Sequence, residues 1–355
     1  MAYGPVENES EMKLDQCLLR ENNNYDVLRL IAAGMVIVGH AHALVPSALS
    51  TQDFVATTLH FDYAGSLAVK FFFFLSGLVV TNSLVHKPGL VAFTAARMFR
   101  IFPGLIACVL FCALVIGPLF STLSLTDYLS HPETASYVKK NILLSLQWEL
   151  PGVFMSNPVH AINGSLWTLP IEIRCYVVLL GLGLAGIISS RTAATVAMAL
   201  VIYTAIAAPQ QLAPLGFTGE AILLPACFAF GSLLAIHQDK CEISTRVLLG
   251  LCLISYVMRN SSVFQYCVYI SAFYGALVVA SSSLAKAYKL PGDFSYGVYI
   301  YGYPVQQVLV GLQPEWGLYL NQTATLIGAI VLATLSWFLI EKPSIEFGRK
   351  WFRRG

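Results

Sequence analysis

The chain has 355 residues, of which 57% are hydrophobic and 11% are charged, and its mean hydropathy is +0.68. A charged fraction this far below the roughly 25% of ordinary globular domains excludes a soluble fold, and the net charge of +2, with no basic face rich in aromatic residues, excludes a nucleic acid as partner. We therefore predict an integral membrane protein whose main solvent is the lipid bilayer.

The polar segment 1–24 comes first and contains Glu7, Glu9, Glu11 and Asp15. This charge pattern is wrong for a signal peptide, so we expect the chain to insert through its own first span. The predicted organisation is a cytoplasmic N-terminal segment (1–24), one transmembrane domain (25–341) and a basic cytoplasmic tail (342–355).

A scan for stretches of about 20 mainly apolar residues predicts about ten transmembrane helices, and therefore an all-α, polytopic fold. The run 141–150 is too short to cross a membrane and is expected to be interfacial or re-entrant. The seventh stretch is short, because Arg246 and Arg259 bound it. The ten stretches are 25–44, 64–84, 101–120, 166–188, 192–208, 217–236, 244–258, 263–284, 294–312 and 323–340.

Basic residues predict the orientation, because lysine and arginine are retained in cytoplasmic loops. With both termini inside, most of the 21 basic residues fall in inner segments. The exceptions, in outer segments or within spans, are Lys139, Lys140, Arg259, Arg29, Lys70 and Arg174. We therefore expect an N-in, C-in protein with its longest extramembrane stretch, 121–165, on the outer side.

The first span carries Asp26, Arg29, His40 and His42, and an ionisable residue inside a membrane is a functional candidate by default. Arg29 and His40 lie on one helix face, about three turns or about 16 Å apart. The ordinary alternatives are a snorkelling anchor for Arg29 and a hydrogen-bonded core residue for His40.

In and after the second span, two pairs of residues stand out. Ser76 and Gly77 follow a phenylalanine run, and small residues let either a helix or a ligand chain approach the backbone closely. Arg97 and Arg100 are spaced i, i+3 on a helix that enters from the cytoplasm, which suits bidentate phosphate binding. Ordinary positive-inside signalling explains the two arginines equally well.

The fourth span places Glu172 less than two turns from its outer boundary, at a depth similar to that of His40. A carboxylate at that depth can orient an imidazole and raise its basicity, and a structural pair is the alternative. Neither Ser76 nor Ser165 lies in a GxSxG motif, so a hydrolase elbow is not supported.

The eight cysteines lie mostly within apolar runs, with no CxxC pair and no cysteine–histidine cluster at metal spacing. We predict that they are small buried side chains, and we expect neither a disulfide framework nor a metal.

Six motifs between Tyr25 and Pro343, in this order and with this number of spans, resemble those of the acyltransferase 3 family. One departure is Gly302, which stands where many relatives have a histidine, so no catalytic role carries over to that segment. We expect that Gln306 and Gln307 bind the acceptor instead. The motifs are Arg29 with His40 after Tyr25-Asp26-Val27-Leu28, Phe72-Phe73-Phe74-Leu75-Ser76-Gly77, Arg97-x-x-Arg100-Ile101-Phe102-Pro103, Trp167-Thr168-Leu169-Pro170-Ile171-Glu172 with Tyr176, Phe294-Ser295-Tyr296-Gly297-Val298-Tyr299, and Glu341-Lys342-Pro343.

The resemblance implies a membrane O-acyltransferase. Such a protein moves an acyl group, most often acetyl, from cytoplasmic acetyl-CoA or another acyl-CoA to a hydroxyl of a cell-envelope or exported carbohydrate or glycolipid on the outer side. It also implies a bacterial cytoplasmic (inner) membrane location and chemistry without a metal.

The resemblance further implies roles for individual residues. His40 is the general base that deprotonates the acceptor hydroxyl, or else the transient acyl carrier, and Glu172 orients or balances it. The expected acyl-CoA site comprises Arg29, Ser76, Gly77, Arg97 and Arg100. The expected acceptor site comprises Trp167, Tyr176 and Asp26.

Two other functions agree with part of the sequence pattern. A transporter or flippase of a glycan or acyl-lipid also has buried charges along its path, but it is expected to show inverted repeats with broken helices, and none is visible. A sensor or assembly component that has lost catalysis is disfavoured, because Arg29 and His40 are both present.

Overall fold

The structure is a computed structural model that describes residues 12–86 and 89–352. Parts of two predicted segments lie outside the described residues, namely 1–11 with Glu7, Glu9 and Glu11, and 353–355 of the tail; Lys87 also lies outside them.

Helices make up most of the described chain. The α-helices are α1 (Leu14–Cys17), α2 (Tyr25–Leu44), α3 (Phe54–Leu59), α4 (Ala64–His86), α5 (Leu90–Phe111), α6 (Gly117–Phe120), α7 (Leu125–Ser130), α8 (Pro132–Ile142), α9 (Leu169–Leu184), α10 (Arg191–Ala207), α11 (Leu224–Ile236), α12 (Thr245–Val257), α13 (Phe264–Ala280), α14 (Ser283–Ala287), α15 (Ser295–Leu312), α16 (Leu318–Ser336) and α17 (Lys342–Phe352).

Shorter elements join these helices. Two-residue strands β1 (Met12–Lys13) and β2 (Glu242–Ile243) pair antiparallel, with Met12 opposite Ile243. The 3-10 helices are Pro46–Ala48, Gly164–Thr168, Ile187–Ser189, Pro209–Gln211, Ala213–Leu215 and Gly219–Leu223, and the π-helical turns are Cys112–Ile116 and Trp337–Glu341.

Six helical segments of the described chain are long and apolar enough to cross a membrane, which supports an integral membrane protein. A seventh candidate combines α10 with the short turn after it, at a bend of 110°. The helices α12 and α13 are apolar but shorter, and the tyrosines and glutamines of α15 lower its hydropathy. The six segments are Tyr25–Leu44, Ala64–His86, Val91–Phe120, Gly164–Leu184, Gly219–Ile236 and Leu318–Trp351.

Each of the ten predicted stretches contains a helix, although only six meet the length and composition expected of a span. The third span was predicted to start at residue 101, whereas the candidate span starts at Val91. Arg97 and Arg100 lie on a helix before residue 101, as predicted, because α5 begins at Leu90. A search for long apolar stretches does not include the charged residues before 101, because a helix can extend beyond the lipid and carry charged residues there.

Many large apolar side chains are exposed on the outer faces of the helices. On a soluble protein so large an apolar surface would be an aggregation liability, whereas in a bilayer it faces lipid. Examples on α9, α10, α12 and α16 are Val177, Val178, Leu200, Leu249, Leu253, Ile327 and Val331.

The centre of the bundle is the packing of α4 against α11. A Cβ atom on Gly77 would collide with the carbonyl of Phe228, and one on Gly231 would collide with the carbonyl of Phe74. Across the same contact the hydroxyl of Thr81 donates to Ser232 at 2.8 Å. The glycines therefore allow the two backbones to touch, as is typical of membrane helices.

The two ends of the bundle are named here by the residues near them. The Arg29 end holds the start of α2 and the segment before α15, with Asp293. The His40 end holds the end of α2, the start of α4, and the contact of Gln307 with the loop before α9.

Candidate active site

A cluster of charged side chains lies at the Arg29 end. Asp293 accepts a hydrogen bond from Arg100 at 2.6 Å and lies 3.7 Å from Arg29. Arg100 also approaches Glu341 at 3.5 Å, and Arg29 lies 3.8 Å from Asp26. Asp293 therefore bridges the arginines of α2 and α5, and Asp26 and Glu341 each contact one of them.

Asp293 is the centre of this cluster. Burial alone raises the pKa of its carboxyl group, but Arg100 and Arg29 outweigh that effect and hold the pKa of Asp293 below its usual value. Ser295 donates a further hydrogen bond of 2.5 Å to the same carboxylate. Arg100 is thus occupied by carboxylates of the protein itself, which leaves less of it for a phosphate than the sequence indicated.

Arg97, one turn before Arg100 on α5, has a different environment. Its Nε atom is buried and has no hydrogen-bond partner within the part of the chain that the structure describes. Its charge acts on the hydroxyl of Tyr176, so the side chain extends towards α9. Of the two arginines predicted to hold phosphates, Arg97 is the one with unused donors.

Ser76, Glu172 and Tyr176 form a hydrogen-bonded group between α4 and α9. The Ser76 hydroxyl lies 2.7 Å from the Tyr176 hydroxyl and 3.3 Å from a carboxylate oxygen of Glu172. Tyr176 also donates a short hydrogen bond to Glu172, its i, i+4 neighbour. The structure thus joins three predicted site residues, and the spacing of Glu172 and Tyr176 was a sequence signal for this contact.

Two other predicted site residues, Gly77 and Trp167, pack against other parts of the protein. The side of Gly77 that lacks a Cβ is filled by α11, so the free space expected for a ligand chain is taken by helix packing. The Trp167 ring is half-buried against the core and makes no hydrogen bond among the described residues.

His40 lies on α2 near the His40 end and packs against Tyr303 of α15. The two rings meet edge to face, with centroids 5.0 Å apart. The Nδ1 atom of His40 is buried and has no partner among the described residues, so Nε2 is the nitrogen that a substrate can reach. The expected contact with Glu172 is not present, because that carboxylate is held by Ser76 and Tyr176.

The structure explains the departure at Gly302. A Cβ atom there would lie 2.8 Å from Ile37 Cγ1, so a histidine requires the Ile37 side chain to move where α15 meets α2. Sequence analysis missed Tyr303, one residue further on, which contacts His40. The sequence did contain a signal for this contact, because Tyr303 directly follows Gly302, the position at which many relatives have a histidine.

Gln306 and Gln307 are fully buried and serve the packing of α15. The Gln307 amide donates to the carbonyl of Ala161 at 2.6 Å, and Gln306 donates to Asn321 at 3.1 Å. Their amide nitrogens therefore bond within the protein, which favours a packing role for both side chains.

Tyr299 lies one turn before Tyr303 on α15 and bonds the segment that leads into α9. Its hydroxyl bonds Thr168 at 2.7 Å and donates to the carbonyl of Ser165 at 2.9 Å, and it lies within the electrostatic field of Glu172. We call the resulting line of polar side chains the polar seam; it consists of Arg97, Tyr176, Glu172, Ser76, Thr168, Tyr299, Ser165, Tyr303 and His40.

Three buried atoms of the polar seam lack hydrogen-bond partners within the described ranges. They are Nε of Arg97, Oγ of Ser165 and Nδ1 of His40. An unsatisfied buried polar group costs about 1–3 kcal/mol, so such groups need an explanation. For the atoms of Arg97 and Ser165, a polar ligand along the seam would provide one.

A metal site is not part of this arrangement. Among the described residues there is no group of three or more histidine, cysteine, aspartate or glutamate side chains that could hold a metal ion. All eight cysteines are free thiols.

Comparison with known proteins shows which family this chain belongs to. A family model described as "Acyltransferase domain", that of acyltransferase 3, matches residues 22–342. The chain is similar to "O-acetyl transferase" of Shigella phage Sf6, with 29% identity over 91% of this chain and 96% of the relative. It is also similar to "Nodulation protein 10" of Rhizobium leguminosarum bv. viciae, with 28% identity over 91% and 93% of the two chains. No solved structure matches significantly.

Proposed function

The chain belongs to the acyltransferase 3 family, and from this premise we propose that it carries an acetyl group from acetyl-CoA at the Arg29 end to a carbohydrate hydroxyl at the His40 end. The observation that supports the proposal is the polar seam, in which Ser76, Glu172 and Tyr176 are hydrogen-bonded to one another and His40 packs against Tyr303. The name of the phage relative supports acetyl as the group transferred.

The proposed topology follows the distribution of basic residues. Lys342, Arg349 and Lys350 of α17, together with Arg97 and Arg100, belong to the Arg29 end, and the positive-inside rule favours the cytoplasm for that end. We take all ten predicted helices as spans, both termini as cytoplasmic and the bacterial cytoplasmic membrane as the location. Acyl-CoA is then available at the Arg29 end.

Arg97 is the proposed contact for the phosphates of the donor. Its guanidinium has unused donors, and arginine suits phosphate geometry because it can donate two parallel hydrogen bonds. Arg29 and Arg100 lie beside it in the cluster centred on Asp293 and contribute positive potential to the same entrance.

Ser76 and Tyr176 are the proposed contacts for the amide groups of the pantetheine arm. Glu172 accepts hydrogen bonds from both hydroxyls and so fixes their orientation. In this arrangement Glu172 is a positioning residue, and its effect on His40 is indirect. Gly77 contributes by allowing the close α4–α11 contact that fixes the position of Ser76.

His40 is the proposed general base. Its Nε2 removes the proton from the acceptor hydroxyl, the oxygen attacks the thioester carbonyl carbon, and the carbon–sulfur bond breaks. The CoA thiolate then takes the proton from the imidazolium, so the products are an O-acetyl ester and free CoA. Of the other predicted acceptor contacts, Trp167 lies in the 3-10 helix Gly164–Thr168 before α9, and Asp26 lies in the charge cluster at the Arg29 end.

The test measures CoA release and acetyl transfer by protein purified into nanodiscs. The donor is radiolabelled acetyl-CoA, and the acceptors are methyl glycosides of hexoses, 6-deoxyhexoses and N-acetylhexosamines. Wild-type protein is expected to acetylate at least one glycoside, and His40→Ala is expected to lose about 10²–10⁴-fold in kcat.

His86→Ala is the matched control, because His86 is exposed and its ring bonds only the carbonyl of Asn82. This variant should retain wild-type turnover. Full activity of a folded His40→Ala protein would contradict the mechanism. Tight binding of glycosides with no release of CoA would favour the transporter.

A further inference from the structure

A cavity of about 410 Å³ opens at the His40 end, between the last turns of α2 and the segment 51–63. Its size falls in the range of about 300–1,000 Å³ typical of small-molecule sites. Gly39 and His42 of α2 form one side, and residues of the short helix α3 and its flanks form the other. None of the predicted site residues lines it.

Two buried carboxylates make the walls of this cavity rigid. Asp53 caps α3 by accepting from the backbone of Ala56 at 3.0 Å and also accepts from the backbone of Ala64 at 3.0 Å. Asp62 forms a buried ion pair with Lys70 at 2.9 Å and accepts from the hydroxyl of Tyr269 at 2.8 Å. Segment 51–63 is thus tied to both α4 and α13.

Other polar groups of the cavity are left for a ligand. Gln52 and His60 are exposed, and within the described residues neither side chain makes a hydrogen bond. His60 is the C-cap of α3, with a left-handed φ of 60°, as is common where helices end. An amide and an imidazole together offer both donors and acceptors to hydroxyl groups.

Aromatic rings lie beside these polar groups. Phe61 is held in place by edge-to-face contacts with Phe264 and Tyr269, and Tyr63 donates a hydrogen bond of 3.0 Å to Glu220. Flat apolar rings next to hydrogen-bonding groups match a sugar, which has both hydroxyls and apolar C–H faces.

The cavity adjoins the polar seam. Gly39, which lines it, directly precedes His40. The absence of a side chain there lets α2 approach the backbone of Gly65 and the Tyr63 ring, which would lie 2.7 and 3.2 Å from a Cβ atom. Tyr63 therefore lies beside the last turns of α2, next to both the cavity and the residue that precedes His40.

We propose that this cavity is the acceptor subsite and binds a sugar ring, with Gln52 and His60 bonding its hydroxyls and Phe61 and Tyr63 packing against its apolar face. The proposal rests on the proposed function, because it supplies the acceptor for the transfer at His40. It commits to a carbohydrate, since the free groups are uncharged hydrogen-bonding side chains and aromatic rings.

The first test is steady-state kinetics in nanodiscs with acetyl-CoA and the methyl glycoside that gives the highest turnover. His60→Ala and Gln52→Ala should each raise the KM for the glycoside about 10-fold, as expected for the loss of one hydrogen bond. The KM for acetyl-CoA should not change. Thr58→Ala is the control, because Thr58 lies on α3 outside the cavity and its hydroxyl bonds the carbonyl of Phe54.

The second test does not depend on turnover. Gln52→Cys is labelled with a membrane-impermeant maleimide, with the wild-type protein as the background for the eight native cysteines, and the methyl glycosides are added as protectants. Protection without turnover would support the cavity and refute the proposed function. Turnover with unchanged glycoside KM in both alanine variants and no protection would refute the cavity and leave the function intact.

Discussion

Replacing Asp293 by asparagine should destabilise the protein strongly. The carboxylate holds Arg100 at 2.6 Å and Arg29 at 3.7 Å and is itself mostly buried. Removing one partner of a buried ion pair costs about 3–5 kcal/mol, because the other charge is left without compensation. Arg100 retains Glu341 and Arg29 retains Asp26, so we expect the lower end of that range, about 3 kcal/mol.

The assay is equilibrium unfolding in mixed detergent micelles, titrated with a denaturing detergent and followed by tryptophan fluorescence. Asp239→Asn is the matched control, because Asp239 forms two hydrogen bonds with Arg191 in an exposed pair. Exposed pairs contribute little, so this variant should unfold like wild type. Equal effects of the two substitutions would refute the reasoning that burial makes the Asp293 cluster important.

Three further predictions concern stability and packing. The folded protein lowers the pKa of Asp293, so its ionised carboxylate stabilises the fold at pH values above the usual aspartate pKa of about 4, and this stability is lost as the pH falls through the lowered pKa. The difference in unfolding free energy between wild type and Asp293→Asn, measured by the same detergent titration, should be constant above about pH 5 and should shrink below about pH 4. A difference that grows at low pH would contradict the assignment. Gly77→Ala should lower stability by about 1–3 kcal/mol through collision with the backbone of α11, whereas Gly181→Ala, where a Cβ meets nothing within 4 Å, should be neutral or slightly stabilising in the same assay. Gly302→His should lower the folded yield in size-exclusion chromatography, because the new side chain collides with Ile37; a folded and more active variant would show that this position can accept the histidine of the relatives.

The helices were largely predictable from the sequence, because lipid selects long apolar stretches. The first prediction, 25–44, matches α2 (Tyr25–Leu44), and the ninth, 294–312, differs from α15 (Ser295–Leu312) by one residue. The prediction that Arg29 and His40 share one face needed only helical geometry. The span prediction excluded the first part of α5, because the charged residues there belong to the helix but not to an apolar pattern.

The contacts of the site were predictable only in part. The pair of Glu172 and Tyr176 follows from their i, i+4 spacing, whereas the contact of Glu172 with Ser76 depends on how α4 and α9 pack. Depth along a span placed Glu172 level with His40 but could not show which way the carboxylate points. The bridge from Asp293 to Arg100 joins residues far apart in the chain, and the sequence contained no periodic signal for it.

The proposed function requires that the acetyl group crosses the membrane from acetyl-CoA on one side to the acceptor on the other. Transfer into sealed proteoliposomes tests this most directly. The best methyl glycoside is trapped inside vesicles that contain the purified protein, and radiolabelled acetyl-CoA is added outside only. The account predicts that wild-type protein labels the trapped glycoside, that His40→Ala does not, and that acetyl-CoA remains outside. Labelling only when donor and glycoside are on the same side would contradict a path along the polar seam from the Arg29 end to the His40 end.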